Sequence, residues 1–400
     1  MSNRFPTTVA VLTPTGRGAV AVIVVEGPHA GRFVEQFFQA QKPPSFSQRP
    51  LGRIVYGRWS SEPAEDVIVC RRREALVEVH CHGGRAPAQR IVDDLVAAGA
   101  ETRLWSDWIG DHESSPIRAA ARRELAGVIT ARTAEILLDQ FYGALEGAVR
   151  EVLATMDKGN GHWSTAREMI EKLLARAALG LHLAQPWRVV VAGPPNVGKS
   201  SLVNALVGYE RAIVLDQPGT TRDVITATTA LSGWPIELSD TAGWRASEEP
   251  LEAAGIERAQ QQAAAADCLL LVFDVSQQWT REQQELVEAW SQAVVVHNKC
   301  DLAAAYDPHG CTSAPVVTSA ATGQGIDLLT QRIVQRLMPV DPEHGEAVPF
   351  TMEHVERLQG AATALKVGDD FAARAHLLAL LAPEQTKNVL AENRSTTHRG

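Results

Sequence analysis

The chain has 400 residues, of which 45% are apolar, and a net charge of −9 at neutral pH. That length holds roughly two to three domains with cores of their own, and no apolar run nears the about eighteen residues of a membrane span. The acidic balance argues against indiscriminate polyanion binding, so the composition predicts a cytoplasmic protein with no membrane contact.

The N-terminus, MSNRFPTTVAV, lacks a basic stretch followed by an apolar one, so no signal peptide is expected. From Thr8 to about Ile109, short β-rich runs alternate with one or two helices, such as Ala86 to Ala98, predicting a small α+β domain over residues 1–112. Within EVHCHGG (Glu78 to Gly84), strand alternation turns His80 and His82 to one side and Cys81 to the other. That is a poor metal geometry, and packing is the better reading. The five cysteines (Cys70, Cys81, Cys268, Cys300, Cys311) have no paired spacing and read as reduced thiols.

From Pro116 to Met156 the apolar spacing turns helical, as in ILLDQFYGALEGAVREVL. A break at Lys158-Gly159-Asn160-Gly161 precedes another helix from Thr165 to about Leu183, so residues 113–185 predict a helical domain's first part. Residues 186–338 alternate strands with helices, as a doubly wound α/β sheet requires. Helix returns at Thr351 to Leu365 and Asp370 to Leu381, giving a short second helical part over 339–385 and a polar tail over 386–400. The plan predicted is an α/β domain inserted in an α-helical one. The arginine clusters Arg71 to Arg73 and Arg118 to Arg123 could touch RNA, although a solvated face is the commoner origin of such a run.

The α/β region opens with VAGPPNVGKSS (Val191 to Ser201), which contains the pattern G-x-x-x-x-G-K-[ST] as Gly193, Gly198, Lys199 and Ser200. It follows the apolar run Trp187 to Ala192 and precedes the helix-like Ser201 to Leu206. Glycines let backbone N–H groups turn inward around phosphate oxygens, and the helix N-terminus favours negative charge. Lys199 would reach the β- and γ-phosphates, and the Ser200 hydroxyl would ligate Mg²⁺.

A glycine-rich turn arising by chance would not stand ahead of PGTTRD (Pro218 to Asp223), DTAG (Asp240 to Gly243), NKCD (Asn298 to Asp301) and Thr318-Ser319-Ala320 in that order. Thr221 suits a switch position completing the Mg²⁺ shell, and Asp240 can hold that shell from a strand end. A buried carboxylate at Asp301 would accept from the N1–H and 2-amino groups of guanine, donors that adenine lacks. The set expected around GTP is Gly193, Asn196, Val197, Gly198, Lys199, Ser200 and Ser201, then Asp240, Thr241, Ala242 and Gly243, then Asn298, Lys299, Asp301, Ser319 and Ala320. These residues predict a P-loop GTPase domain.

Many GTPases place a water-orienting glutamine after DTAG; this chain has Trp244. Two substitutes are visible. Glu252 lies in an acidic, helix-prone segment and could orient water, although a solvated helix face is the simpler origin of such a residue. Asn196 offers an amide carbonyl to a monovalent cation where an arginine finger would act, or else it stabilises the loop.

These motifs resemble the MnmE (TrmE) family of tRNA-modification GTPases over nearly the whole chain. AIVLDQPGTTRD and DTAGWRASEEPLEAAGIERA are similar to its switch regions, and Thr8 to Gly27 and EVHCHGG resemble its N-terminal domain. The resemblance implies K⁺ held by Asn196, Leu215, Gln217 and Thr220, the middle two through backbone carbonyls. It implies Glu252 as catalytic glutamate beside Lys199 and Thr221, and a homodimer through the N-terminal and G domains. A flavoprotein partner and tRNA are implied as well.

Departures concern the family's folate site and ending. Val24 stands where the family has an arginine, while Glu78 is retained. The segment Arg103 to Leu125 lacks the family's lysine motif, and the chain ends Asn393-Arg394-Ser395-Thr396-Thr397-His398-Arg399-Gly400 without C-[IV]-G-K and its cysteine. A folate derivative is thus in question. The first expectation is a GTPase acting in tRNA wobble-uridine modification; the alternative is a GTP-driven switch or assembly protein without the folate and modification chemistry.

Overall fold

A computed structural model describes residues 6–13, 18–60, 63–209, 225–240, 264–311, 314–338 and 340–381. It divides into two compact units, Met1–Ser114 and Ser115–Gly400.

The first unit is built on strands β1 (Thr8–Val11), β2 (Val20–Glu26), β3 (Phe38–Ala40), β4 (Ile54–Trp59), β5 (Glu65–Arg73), β6 (Leu76–His82) and β7 (Glu101–Thr102). They run in the order β3-β4-β5-β6-β2-β1-β7, antiparallel except for the pair of β1 with β7. In β4 the buried residues Val55, Gly57 and Trp59 alternate with exposed Ile54, Tyr56 and Arg58, the period-two pattern of a sheet covered on one face. Helices Ala30–Phe37 and Arg85–Ala97 cover that face, burying Val34, Ile91 and Leu95. Trp59 is fixed by its Nε1–H, which donates to Asp94 Oδ2 at 2.8 Å.

The EVHCHGG run has the alternation its sequence predicts. Cys81 is buried, with its thiol pushed up to about 11 by burial, while His80 and His82 look the other way and meet Glu78 and Glu65. Among the described residues, no cluster of three His, Cys, Asp or Glu side chains could hold a metal. A Cβ on Gly83 would lie 1.6 Å from the Gly18 carbonyl oxygen, so this glycine is fixed by close backbone approach.

In the second unit, the helical stretch from Pro116 to Met156 is three helices, Pro116–Leu125, Ala131–Phe141 and Ala144–Met156. Ser115 and Thr130 cap the first two through their hydroxyls, and Gly143, at φ 112°, starts the third. The helix expected from Thr165 to Leu183 is likewise two pieces, Trp163–Leu174 and Ala177–Leu181. Arg176, between them, donates to the Ala347 carbonyl at 3.3 Å and pairs with Glu346. Gly180 lies so close to Pro349 that a Cβ would sit 1.9 Å from its carbonyl oxygen. Helices Met352–Val367 and Asp370–Leu381 complete the helical part.

The remaining strands are β8 (Trp187–Ala192), β9 (Ile225–Leu231), β10 (Trp234–Asp240), β11 (Cys268–Asp274), β12 (Val294–Asn298) and β13 (Val316–Val317). Their order is β13-β12-β11-β8-β10-β9, all parallel except the edge strand β9. β11 is buried throughout, as a central parallel strand covered on both faces should be. One hydrophobic core runs from the helices (Leu137, Val149, Ile170) into the sheet (Val189, Ile236, Leu270).

The β9–β10 turn is left-handed at Ser232 (φ 51°) and Gly233 (φ 79°), as a tight hairpin needs. Arg132 of helix Ala131–Phe141 holds it. Its guanidinium donates to the Ser232 carbonyl at 3.0 Å, stacks 4.6 Å over the Trp234 ring and pairs with Asp341. No helix among the described residues is long and apolar enough to cross a membrane.

Candidate nucleotide-binding site

Four parallel strands end along one edge of the second sheet and deliver Gly193 after β8, Asp240 from β10, Asp274 from β11 and Asn298 from β12. Ligands of open α/β sheets bind at this carboxyl edge.

The loop from Gly193 to Gly198 joins β8 to helix Lys199–Tyr209 and turns through left-handed backbone at Gly193 (φ 143°), Asn196 (φ 62°) and Gly198 (φ 93°). Side chains are excluded at both glycines. A Cβ on Gly193 would lie 2.2 Å from the Val272 carbonyl oxygen, and one on Gly198 2.5 Å from Asn298 Nδ2. Asn196 adopts its left-handed conformation at a cost of about 1–3 kcal/mol, which persists only where surrounding contacts impose it.

Lys199 curls back over this loop and donates to the carbonyls of Gly193 at 3.0 Å and Pro194 at 2.8 Å. Burial pushes its ammonium below the usual lysine range, against the attraction of Asp240. A polyphosphate would exchange these neutral acceptors for charged oxygens, which form the stronger hydrogen bonds.

The Ser200 hydroxyl donates to Asp240 Oδ2 at 2.5 Å. Asp240 is buried, and its Oδ1 has no hydrogen-bond partner among the described residues. A buried carboxylate oxygen left unpaired is costly. A hydroxyl beside a carboxylate is the hard oxygen donor set that Mg²⁺ prefers, so the residues present fit that ion. Sequence reasoning gave Asp240 this task.

Asn298 is the knot of the site. Its Nδ2 donates to the Val197 carbonyl at 3.0 Å, while its Oδ1 accepts from Thr318 Oγ1 at 3.2 Å and Ala320 N at 3.1 Å. One amide thereby ties the P-loop to the loop after β13. Ser319 is buried and accepts from Thr322 N at 3.2 Å. Lys299, left-handed at φ 67°, extends over the P-loop and donates to the Asn196 carbonyl at 2.6 Å. Asp301 differs from its expectation. Its carboxylate is exposed rather than buried, because the NKCD turn stands at the rim of the sheet edge; a base resting there would have to cover it. Ser201 is also exposed.

Sequence reasoning missed Asp274, which ends the apolar run of β11 and binds Lys299 at 2.7 Å. The available signal was a charged residue closing the fully apolar strand CLLLVFD. Thr221, Glu252, Trp244, Thr241, Ala242, Gly243, Leu215, Gln217 and Thr220 lie outside the described residues.

In the first unit, Val24 and Glu78 are direct cross-strand partners of β2 and β6. Val24 is buried and brings no cation to the pair. Glu78 accepts instead from Arg72 Nε at 2.8 Å and meets His80 Nε2 at 3.5 Å. Arg72 sits at an irregularity in the β5–β6 pairing, between Arg71 and Arg73. Val24 and Glu78 thus form no arginine–carboxylate pair, and Glu78 is already held by Arg72 and His80.

Comparison with known proteins agrees with the motif order. A family model described as "GTP-binding protein TrmE N-terminus" matches residues 7–104, and one described as "50S ribosome-binding GTPase" matches residues 188–299. The tRNA modification GTPase MnmE of Chloroflexus aurantiacus is 33% identical, across 91% of this chain and 92% of its own length. The protein of the same name from Geobacillus kaustophilus is 32% identical across 91% and 89%. The G domain of the T. maritima FeoB iron transporter is similar at 30% identity over 38% of this chain and 99% of its own, with a TM-score of 0.30. At that score the likeness adds nothing on fold. The length and identity of the first two matches, joined to a P-loop, an acidic strand end and NKCD along one sheet edge, decide the matter: the chain belongs to the MnmE/TrmE family of GTPases.

Proposed function

We propose that the chain binds GTP with Mg²⁺, hydrolyses it with K⁺ assistance, and serves tRNA wobble-uridine modification in the cytoplasm. The Ser200–Asp240 pair, with its orphaned buried oxygen beside Lys199, carries the reading. Relatives named tRNA modification GTPase support its tRNA part.

In this reading Lys199 meets the β- and γ-phosphates, and backbone N–H groups of Val197, Gly198, Ser200 and Ser201 line the phosphate cradle. Ser200 and Thr221 hold Mg²⁺, with Asp240 behind them; when bound, that ion neutralises charge developing on the phosphoryl oxygens. Thr241, Ala242 and Gly243 border the γ-phosphate. Asp301 reads guanine, and Asn298, Ser319 and Ala320 shape its pocket. Glu252 orients the attacking water, and Asn196, Leu215, Gln217 and Thr220 surround K⁺ in place of an arginine finger.

Residues 186–338 act as a G domain set between helical parts 113–185 and 339–385; the parallel sheet flanked by helices supports this division. A homodimer through the N-terminal unit is supported by Ile54, Tyr56 and Ile68, exposed together on the sheet face opposite its helices, with Tyr56 paired to Ile68. G-domain pairing and a flavoprotein partner complete the proposal.

Three measurements test it. Hydrolysis by the full chain should be faster in K⁺ than in Na⁺, and Glu252→Ala should slow turnover while sparing binding. Equal rates in both salts would remove the cation role. Expression in cells lacking the family protein should restore modified wobble uridine; an active GTPase that fails to do so would contradict the tRNA role.

A second reading, a GTP-driven switch or assembly protein without folate chemistry, is favoured by the capture of Glu78 by Arg72 opposite Val24. It predicts no binding of formyl-tetrahydrofolate by the purified protein and no restoration in cells.

A further inference from the structure

We infer that Asp274 is a positioning residue for the guanine nucleotide, acting through Lys299 on the rim of the P-loop. This rests on the GTP reading above and adds a residue to it.

Asp274 closes β11 and is the parallel partner of Asn298, so the last residue of one strand lies beside the base-reading turn of the next. Both of its carboxylate oxygens are engaged. Oδ1 accepts from the Ser276 backbone N–H at 2.9 Å and the Ser276 hydroxyl at 2.6 Å, and Oδ2 accepts from Lys299 Nζ at 2.7 Å. The Asp274 side chain is 7% exposed, against 31% for Lys299. Burial alone would raise this carboxyl; the Lys299 ammonium and the Ser276 donors outweigh it and hold it below the usual carboxylate range.

The lysine needs that anchor. Its backbone is left-handed, which disfavours a side chain with a Cβ. Its stem passes Gly198, where a Cβ would stand 3.8 Å from Lys299 Cε, and its ammonium also donates to the Asn196 carbonyl. Asp274 and the Asn196 carbonyl thus hold the same ammonium, tying the tip of Lys299 to both β11 and the phosphate loop. The aliphatic stem runs from the NKCD turn to that ammonium past Gly198 of the phosphate loop, and in the GTP reading it borders the nucleotide. Without Asp274 the ammonium keeps one weak carbonyl partner and the stem is free to swing into solvent. Ser276 is the outer support, since its two donors set the carboxylate plane.

Affinity of the full chain for GTP, measured by calorimetry, tests this in Asp274→Ala, Asp274→Asn, Lys299→Ala and the double variant Asp274→Ala/Lys299→Ala. Asp274→Ala should weaken GTP by about ten- to hundredfold, the range of a lost charge-assisted hydrogen bond, with KM carrying most of the change. Asp274→Asn keeps the shape and an acceptor oxygen, and should lose less. In the Lys299→Ala background, removing Asp274 should add less than twofold, because its route to the nucleotide is already gone. Unchanged affinity in both Asp274 variants would overturn the inference, as would a full additional loss in the double variant. The isosteric asparagine serves if the alanine variant does not fold. Failure of the GTP reading itself is told apart by Asp301→Asn: if that variant keeps its guanine preference, the base-reading turn is misassigned whatever Asp274 does.

Discussion

Ser200 Oγ and Asp240 Oδ2 stand 2.5 Å apart across 40 residues of sequence, joining the first turn of the P-loop helix to the end of β10. The strand register produces the contact, since Asp240 pairs with Val191 two residues before the loop begins. The other oxygen of Asp240 is buried and has no partner among the described residues. Asp240→Asn should therefore lower Mg²⁺-dependent GTP hydrolysis by about a hundredfold or more, the scale of losing one electrostatic contact to a transition state. Turnover titrated with Mg²⁺ measures it; a variant with the wild-type Mg²⁺ response would contradict the assignment.

Lys199 spends its donors on the Gly193 and Pro194 carbonyls in this structure. Lys199→Ala should abolish tight GTP binding, because alanine can offer phosphate neither charge nor hydrogen bond. Calorimetry reads this directly, and an unchanged dissociation constant would remove Lys199 from the phosphate site.

Arg132 joins the helical part to the hairpin β9–β10 by a hydrogen bond, a stacked ring and an ion pair. The ion pair is partly exposed and contributes little. The cation–π contact and the hydrogen bond together suggest a loss of about 1–2 kcal/mol in Arg132→Ala. Urea unfolding would show it as a lower midpoint with an unchanged slope. No shift would mean that hydrophobic packing alone fixes the hairpin.

Much of the architecture is legible in the order of residues, and where that reading fails the causes are local. Helix Asp370–Leu381 has the bounds its apolar spacing predicts. The expected helix from Thr165 to Leu183 breaks at Arg176 because that side chain is drawn to Glu346 and the Ala347 carbonyl, 170 and 171 positions away. No local pattern carries a contact of that range. The P-loop is legible because its glycines answer to backbone geometry within one short loop. Asp274 is not, because its meaning comes from parallel pairing with β12. Asp301 keeps its place in the NKCD turn, but its exposure depends on where the sheet edge ends.

Two histidines give the protein an acid-sensitive stability. Burial, with some help from His309, holds His297 at about 4; burial and Arg123 hold His354 at about 4. Both folded values lie below the ordinary 6.5. The unfolded chain takes up these protons first, so the stabilisation is complete above about pH 6.5 and is lost as pH falls toward 4. The melting temperature should drop over that window. His354→Phe should flatten the drop, whatever its effect at neutral pH; an unchanged slope would show that His354 does not titrate on unfolding.

A GTPase that reads its base through Asp301 must separate guanine from adenine and xanthine. Hydrolysis of GTP, ATP and XTP should be compared at saturating Mg²⁺ and K⁺ for the wild-type chain and for Asp301→Asn. The wild type should turn over GTP and leave ATP nearly untouched, and Asp301→Asn should shift preference to XTP, whose extra carbonyl suits an amide donor. Equal use of ATP and GTP by the wild type, or retained GTP preference in Asp301→Asn, would contradict a GTPase that reads its base through the NKCD turn.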